Sequence, residues 1–486
     1  MNPLKKLFKQ TFVYGLATVL PRMLTFLLLP LYTYVFKTEG YGEFSIIYAY
    51  IAIFNVFLAY GMETAFFRFY TNAKDKNTVL STSLLSILGS SLLFLILAFS
   101  FKNSIASFIS IDVAYVKYAI WILTLDALVI VPFSWLRATE KPMKYAVVKL
   151  INVAINTGIT AIFLFVIPEI LAKSPESILK SIYKPNFEFS YLLIANLLAS
   201  LVTLLILIPL YFKTNYKFDV VLWRQMVRYA TPILVAGIAF SINEVFDRIL
   251  LENLLPEDIA KSEIGKYSAC YKLALFMTLF ATAFRMGVEP FFFSHSKSEN
   301  PQRIYAQITN YFIIIGSVIF LVVIVFIDVI KEIFITNEAY WEAMSIVPIV
   351  LLAAFFLGIY HNLSVWYKVT DKTRYGAFIS LIGAGLTITI NFLFIPKIGY
   401  VASALATLAA YGSMMVLSYY FGKRNYPIPY NMRKIAFYFS ISVVLSILSF
   451  YVFDRNLWIG CSLLFLFLGL VYKMENEVLK KIISKK

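Results

Sequence analysis

Fourteen apolar runs, the shortest of 18 residues, follow one another from end to end of this chain. They fall at about 11–36, 44–67, 79–100, 113–136, 145–167, 189–212, 226–251, 264–287, 304–327, 340–366, 375–395, 400–421, 433–453 and 456–473. A bilayer core of about 30 Å needs about 20 apolar residues in helical form. Helices satisfy their own backbone polar groups in lipid, where open strands cannot. The composition agrees: 60% of residues are hydrophobic and only 14% charged. The expected architecture is all-α and integral to a membrane. The segments between runs are short, so no independent soluble domain is expected. The longest, about 168–188, holds Pro168, Pro175 and Pro185.

The net charge of +16 would suggest nucleic acid in a soluble chain. In a membrane chain, Lys and Arg collect on cytoplasmic segments. With the N-terminus placed inside, 27 of the 43 basic residues fall on inside segments, 9 outside and 7 within runs, terminal turns being counted with their loops. Acidic residues run the other way, with more outside than inside. One missed helix would invert every later loop, so an even count with both termini cytoplasmic is expected, and no nucleic-acid partner. The first run is too long for a signal-peptide core and reads as a retained helix. Cys270 and Cys461 lie in apolar stretches, and His295 and His361 are far apart. No disulfide and no metal site are expected.

An internal repeat is present. Gly42-Glu43-Phe44-Ser45-Ile46-Ile47-Tyr48 and Gly265-Lys266-Tyr267-Ser268-Ala269-Cys270-Tyr271 share the pattern G-x-aromatic-S-x-x-Y. The stretch Trp135–Lys141 aligns without a gap on Trp366–Lys372, and Phe163–Pro168 resembles Phe392–Pro396. The offset is six helices, so the halves share one orientation. Two pseudo-symmetric six-helix bundles, 1–212 and 213–424, are expected, followed by two C-terminal helices with a basic cytoplasmic tail in 425–486. Parallel repeats of this kind are transporter architecture, in which one bundle rocks against the other.

Three segments resemble a known family. Leu27–Thr33 followed by Gly40–Phe44 is similar to the first-helix signature of Wzx-type lipid-linked oligosaccharide flippases. Asp247–Leu251 with Gly265–Ala269 resembles their seventh-to-eighth helix segment, and Asn391–Tyr400 with Ala402 and Ala404 the join of helices eleven and twelve. These flippases belong to the multidrug/oligosaccharidyl-lipid/polysaccharide exporter superfamily. The resemblance implies a transporter, not an enzyme, in the bacterial cytoplasmic membrane. It would carry a polyprenyl-pyrophosphate-linked glycan, such as an O-antigen or lipopolysaccharide precursor, from inner to outer leaflet by alternating access. Membrane lipids and a polysaccharide polymerase complex would be its partners. The rival within the fold is a small-molecule or drug antiporter. A glycan polymerase or ligase is less favoured, since such enzymes carry a large outer loop and no catalytic motif occurs here.

Ionisable residues within runs each cost about 2.5–3.5 kcal/mol at a helix centre on insertion scales. They therefore mark candidate sites. Arg22, beside Pro21, would either bind a pyrophosphate bidentately or pair with Asp126 on the fourth run. Arg248, Lys272 and Arg285 complete the candidate substrate-binding set. Glu63, Arg68, Glu244, Asp247 and Glu289 are the candidate ion-coupling or gating residues. Glu244 and Arg248 are spaced i, i+4 for pairing on one helix face, with Asn243 and Asp247 as a second polar stripe. No cofactor is expected; a proton or sodium ion is the expected coupling species, at Asp126, Glu63, Glu244 or Asp247. Aromatic side chains such as Tyr14, Tyr32, Tyr48, Tyr229 and Tyr271 are candidates for stacking on sugars.

Overall fold

The computed structural model describes residues 15, 19–24, 26–174, 176–185, 187–294 and 299–483. Tyr14, Pro175, His295, the basic N-terminal segment and the last two lysines lie outside the described residues, as does part of the first run. Twelve helices are long and apolar enough to cross a membrane, and the chain is a multi-pass membrane protein. In chain order with their two companions they are α1 (Val19–Val35), α2 (Thr38–Asn72), α3 (Lys76–Ser100), α4 (Val113–Ala138), α5 (Pro142–Lys173), α6 (Glu188–Lys213) and α7 (Val220–Leu254). Then come α8 (Glu257–Glu289), α9 (Pro301–Val325), α10 (Glu338–Val369), α11 (Arg374–Ile398), α12 (Tyr400–Asn425), α13 (Met432–Val452) and α14 (Leu457–Asn476). Each of the fourteen apolar runs is thus helical over its described residues. The shorter α1 and the charge-bearing α7 are the two that fall outside the twelve.

Polar residues start several of these helices. The Asp75 carboxylate accepts from the Asn77 and Thr78 amides at the head of α3, 3.1 Å each. Asp219 does the same for Val221 and Leu222 at the head of α7, 2.9 Å each. Each satisfies amides that a helix end leaves without intrahelical partners. Departures from α geometry are local. Helix α2 breaks at Tyr60–Gly61, where both residues have positive φ. Helix α5 carries a π-turn at Ile162–Val166, and α8 a 3-10 turn at Lys272–Ala274.

The chain divides into two compact units. The first comprises residues 1–265 with 387–400, and the second 266–386 with 401–486. Helix α7, which the sequence reading grouped with the second bundle, packs in the first unit against α2 and α3. At Gly61 a side chain would come within 2.6 Å of the Ala230 carbonyl oxygen of α7, so only glycine fits this approach. In the second unit, α9 packs between α13 and α10, and Tyr438, Phe467 and Leu321 form the centre of the α9–α13–α14 contact.

The repeat is visible in backbone detail. Glu140 and Asp371, equivalent in the second repeat pair, both adopt the left-handed conformation, at φ 53° and 57°. Lys141 N–H donates to Leu136 O at 2.9 Å, and Lys372 N–H to Tyr367 O at 2.8 Å. The Thr139 hydroxyl bonds Trp135 O and that of Thr370 bonds Trp366 O, at 2.7 and 2.8 Å. These are the same helix C-cap built twice.

Candidate functional site: a polar cavity and three charged clusters

The first unit holds an open cavity of about 510 Å3 bounded by α2, α4, α5, α6 and α7. Its polar lining comes from Asn55, Glu63 and Thr64 of α2, Asp126 of α4, Lys149 and Asn152 of α5, and Asn196, Ser200 and Thr203 of α6. These groups are held by one another. The Ser200 hydroxyl donates to Asp126 Oδ1 at 2.7 Å, and Asn55 is a second partner of that carboxylate. The Asn152 amide donates to Thr203 Oγ1 at 2.9 Å, and the Asn196 amide to the Tyr48 hydroxyl at 3.0 Å. Lys149 supplies charge opposite to Asp126, and its ammonium lies 4.3 Å over the Phe133 ring. Two further hollows differ in kind. One of about 350 Å3 in the first unit and one of about 260 Å3 in the second are lined almost wholly by apolar side chains.

At the edge of the polar cavity, Glu63 forms an ion pair with Arg137 of α4. The second unit repeats the arrangement. Glu289 of α8 pairs with Lys368 of α10 at 2.6 Å, and Arg137 and Lys368 are equivalent in the aligned repeat. Arg285 lies next to this pair, its guanidinium 3.4 Å from His361 Nε2. Arg285, His361, Lys368 and Glu289 surround a space of about 10 Å3, too small for anything beyond one water. Arg68 stacks on Tyr229 of α7 with 4.3 Å to the ring centroid. Glu63 and Glu289 are therefore each neutralised inside their own unit.

The third cluster joins α7 to α11 within the first unit. Thr387 Oγ1 donates to Asn243 Oδ1 at 2.8 Å, and the Asn391 amide to Thr387 O at 2.8 Å. Asn243, Asp247, Thr387 and Asn391 are all 2% exposed or less. They are part of the core, not a solvated headgroup stripe. The Arg248 guanidinium reaches Asp247 Oδ1 at 2.7 Å and the Glu244 carbonyl at 2.8 Å. Its side chain bonds the adjacent carboxylate and its own helix backbone.

Of the two alternatives for Arg22, the pairing with Asp126 is not formed. Arg22 lies exposed on α1 and makes no ion pair among the described residues, while Asp126 is engaged by Ser200 and Asn55. Lys272 sits in the 3-10 turn of α8. The sequence reading did not single out Asn55, Asn152, Asn196 and Ser200. One-helix-turn spacing carried a signal, since Asn196, Ser200 and Thr203 share a face of α6 and Lys149 and Asn152 a face of α5.

A crossing of the two repeat motifs lies in the same unit. A Cβ on Gly42 would fall 1.8 Å from Lys261 O, and one on Gly265 1.9 Å from Thr38 O. Thr38 and Lys261 each stand four residues before their glycine, so the contact is symmetric under the repeat. Thr38 Oγ1 and Ser262 Oγ are 2.8 Å apart, and Lys261 pairs with Glu43 at 3.7 Å.

Comparison with known proteins follows from these features. Residues 7–295 match the family described as "Polysaccharide biosynthesis protein", and residues 232–393 match the MatE family. No curated protein matches the sequence. Among solved structures, the lipid II flippase MurJ in an inward closed conformation is similar with TM-score 0.73 and 16% identity, covering 95% of this chain and 99% of that one. An inward-facing multidrug resistance MATE transporter has TM-score 0.65 and 12% identity, covering 85% and 95%. A superfamily transporter from Pyrococcus furiosus has TM-score 0.58 and 12% identity, covering 90% and 98%. The fold is that of these membrane transporters.

Proposed function

Because the chain belongs to the polysaccharide biosynthesis protein family, we propose that it is a flippase for a polyprenyl-pyrophosphate-linked glycan. It moves the glycan from the inner to the outer leaflet of a bacterial cytoplasmic membrane by alternating access, with both termini cytoplasmic. The observation that carries this reading is the family match over residues 7–295, in a chain with a polar, hydrogen-bonded cavity inside a membrane bundle. A purely apolar bundle could pass lipid tails, but not a glycan. The substrate's anionic head moves outward down the inside-negative potential, a gain of about 2.3 kcal/mol per charge for each 100 mV. The coupling ion, a proton or sodium, is assigned to Asp247, whose buried carboxylate lies one helical turn from Asn243 on α7. Arg285, beside the Lys368–Glu289 pair, is the candidate contact for the pyrophosphate in a transport state that opens the small space there.

A second reading, export of small amphipathic molecules, is favoured by the MatE match over 232–393. The two are separated by deletion of the gene and analysis of both lipids and drug tolerance. Glycan flipping predicts accumulation of a lipid-linked oligosaccharide in the cytoplasmic leaflet. An unchanged lipid pool with lost drug tolerance would overturn it in favour of the exporter.

A further inference from the structure

The cavity in the first unit differs from what a pyrophosphate would need, and this difference assigns it a narrower task. We propose that it is a saccharide subsite, holding one or two uncharged sugar residues of the lipid-linked glycan while the pyrophosphate binds elsewhere. The proposal rests on the flippase reading above and deepens it.

Size is the first argument. About 510 Å3 falls within the range of about 300–1,000 Å3 typical of small-ligand pockets. Charge is the second. Each carboxylate at the cavity has a cation to offset it: Lys149 lines the same cavity as Asp126, and Arg137 pairs with Glu63. A diphosphate in such a site would lose its hydration without gaining a net positive partner, and an unpaired buried charge is strongly disfavoured. A sugar carries no charge to compensate.

Chemistry is the third argument. Sugar hydroxyls both donate and accept, so they need neighbours that do both. Amides and hydroxyls meet that need, and the walls present Asn55, Asn152, Asn196, Ser200 and Thr203. The groups come from three helices and are already fixed by the bonds to Asp126, Thr203 and Tyr48. Prior fixing lowers the ordering cost when a ligand arrives. An apolar wall is present as well. Phe133 and Tyr145 both line the cavity and pack edge to face with centroids 5.2 Å apart, a surface for the C–H face of a sugar ring.

The test uses the full-length chain in nanodiscs with Cys270→Ala, Cys461→Ala and Thr64→Cys. Thr64 lines the cavity and is exposed, so a maleimide can reach the new thiol. Labelling is timed with a polyprenyl-pyrophosphate-linked N-acetylglucosamine disaccharide, and separately with sugar-free polyprenyl pyrophosphate. The disaccharide lipid should slow labelling by about tenfold and the sugar-free lipid by less than about twofold. Asn152→Leu, or Asn196→Leu should the first fail to fold, should remove most of the protection by the disaccharide lipid. Equal protection by the two lipids would overturn the proposal, because the cavity would then be reading the phosphates. Flipping of the disaccharide lipid in proteoliposomes is measured in parallel. Flipping without protection overturns the subsite alone; absence of both flipping and protection overturns the flippase reading beneath it.

Discussion

Replacing Gly42 by alanine tests the crossing of the two repeat motifs. The new methyl would lie 1.8 Å from the Lys261 carbonyl oxygen, whereas close C–H···O contacts begin at about 3.3 Å. The segments must part by about 1.5 Å, and both sides of the contact are helix backbone, which cannot rotate away. That shift carries the Thr38–Ser262 hydroxyl pair from 2.8 Å beyond hydrogen-bonding distance. The Lys261–Glu43 pair, 3.7 Å apart and partly exposed, contributes under about 1 kcal/mol. Overpacking at a tight contact costs about 1–3 kcal/mol, equivalent to about a 5- to 150-fold shift in population. The assay is disulfide formation between Thr38→Cys and Ser262→Cys in a chain carrying Cys270→Ala and Cys461→Ala. Oxidation should be fast in that parent and at least about fivefold slower with Gly42→Ala added. Gly265→Ala should match it, since its methyl would lie 1.9 Å from Thr38 O. Gly89→Ala, with no atom within 4 Å of the added methyl, should not change the rate. Wild-type oxidation rates in both alanine variants would refute the close crossing.

Other sites give shorter tests. Glu63→Gln breaks a pair whose side chains are 53% and 44% exposed, so it should cost less than about 1 kcal/mol in denaturant titration; a large loss of flipping at normal stability would then identify a transport role. Thr387→Val removes the hydroxyl donor from buried Asn243 and should cost about 1–3 kcal/mol by the same titration, with sodium and pH dependence of flipping as the second readout; Thr387→Ser should restore both. Ser200→Ala should cost a similar amount, about 1–3 kcal/mol, by stripping Asp126 of one partner. The Thr78 hydroxyl holds the Asp75 carboxyl below the ordinary carboxylate range. A carboxyl lowered in the folded state stabilises above its ordinary pKa and loses that effect as pH falls through the lowered one. Hydrogen exchange at the Asn77 and Thr78 amides should therefore show an intact cap between pH 5 and 8, and Asp75→Ala should abolish its protection.

Much of the architecture is legible in the sequence, because lipid leaves the backbone few options. Each of the fourteen apolar runs is helical over its described residues. Even α7 is recoverable, since its polar residues interrupt an apolar run without ending it. The site was less legible. Charge within an apolar run drew attention to Arg22 and Asp126, but a guanidinium on a helix side says nothing of its partner. Asp126 instead takes a serine and an asparagine, which cost too little in an apolar run to stand out. Neutral amides are a weak signal residue by residue, and only the fold gathers Asn55, Asn152 and Asn196 around one cavity.

The repeat shows why some features survive in sequence while others need coordinates. The paired C-caps keep threonine at 139 and 370 and an acidic residue in left-handed geometry at 140 and 371, and the crossing keeps glycine at 42 and 265. Backbone chemistry of that kind admits few residues, so the motif persists. Ion pairs tolerate more. Arg137 and Lys368 are different residues, and Glu63 follows its glycine by 21 positions where Glu289 follows by 24. The break at Tyr60–Gly61 in α2 and the 3-10 turn at Lys272–Ala274 in α8 change the helical phase differently in the two copies. Those irregularities let acids at unequal spacing reach equivalent cations. Arg68 and Arg285 have separate partners, Tyr229 and His361. The conserved unit of the repeat is thus the pairing of one helix with another across each bundle, and exchanging the charges should test it. Glu63→Arg alone should weaken the α2–α4 contact, and adding Arg137→Glu should restore it, whereas adding Lys368→Glu should not. Rescue by the Lys368 change instead would mean that the acids are shared between the repeats and not held within each.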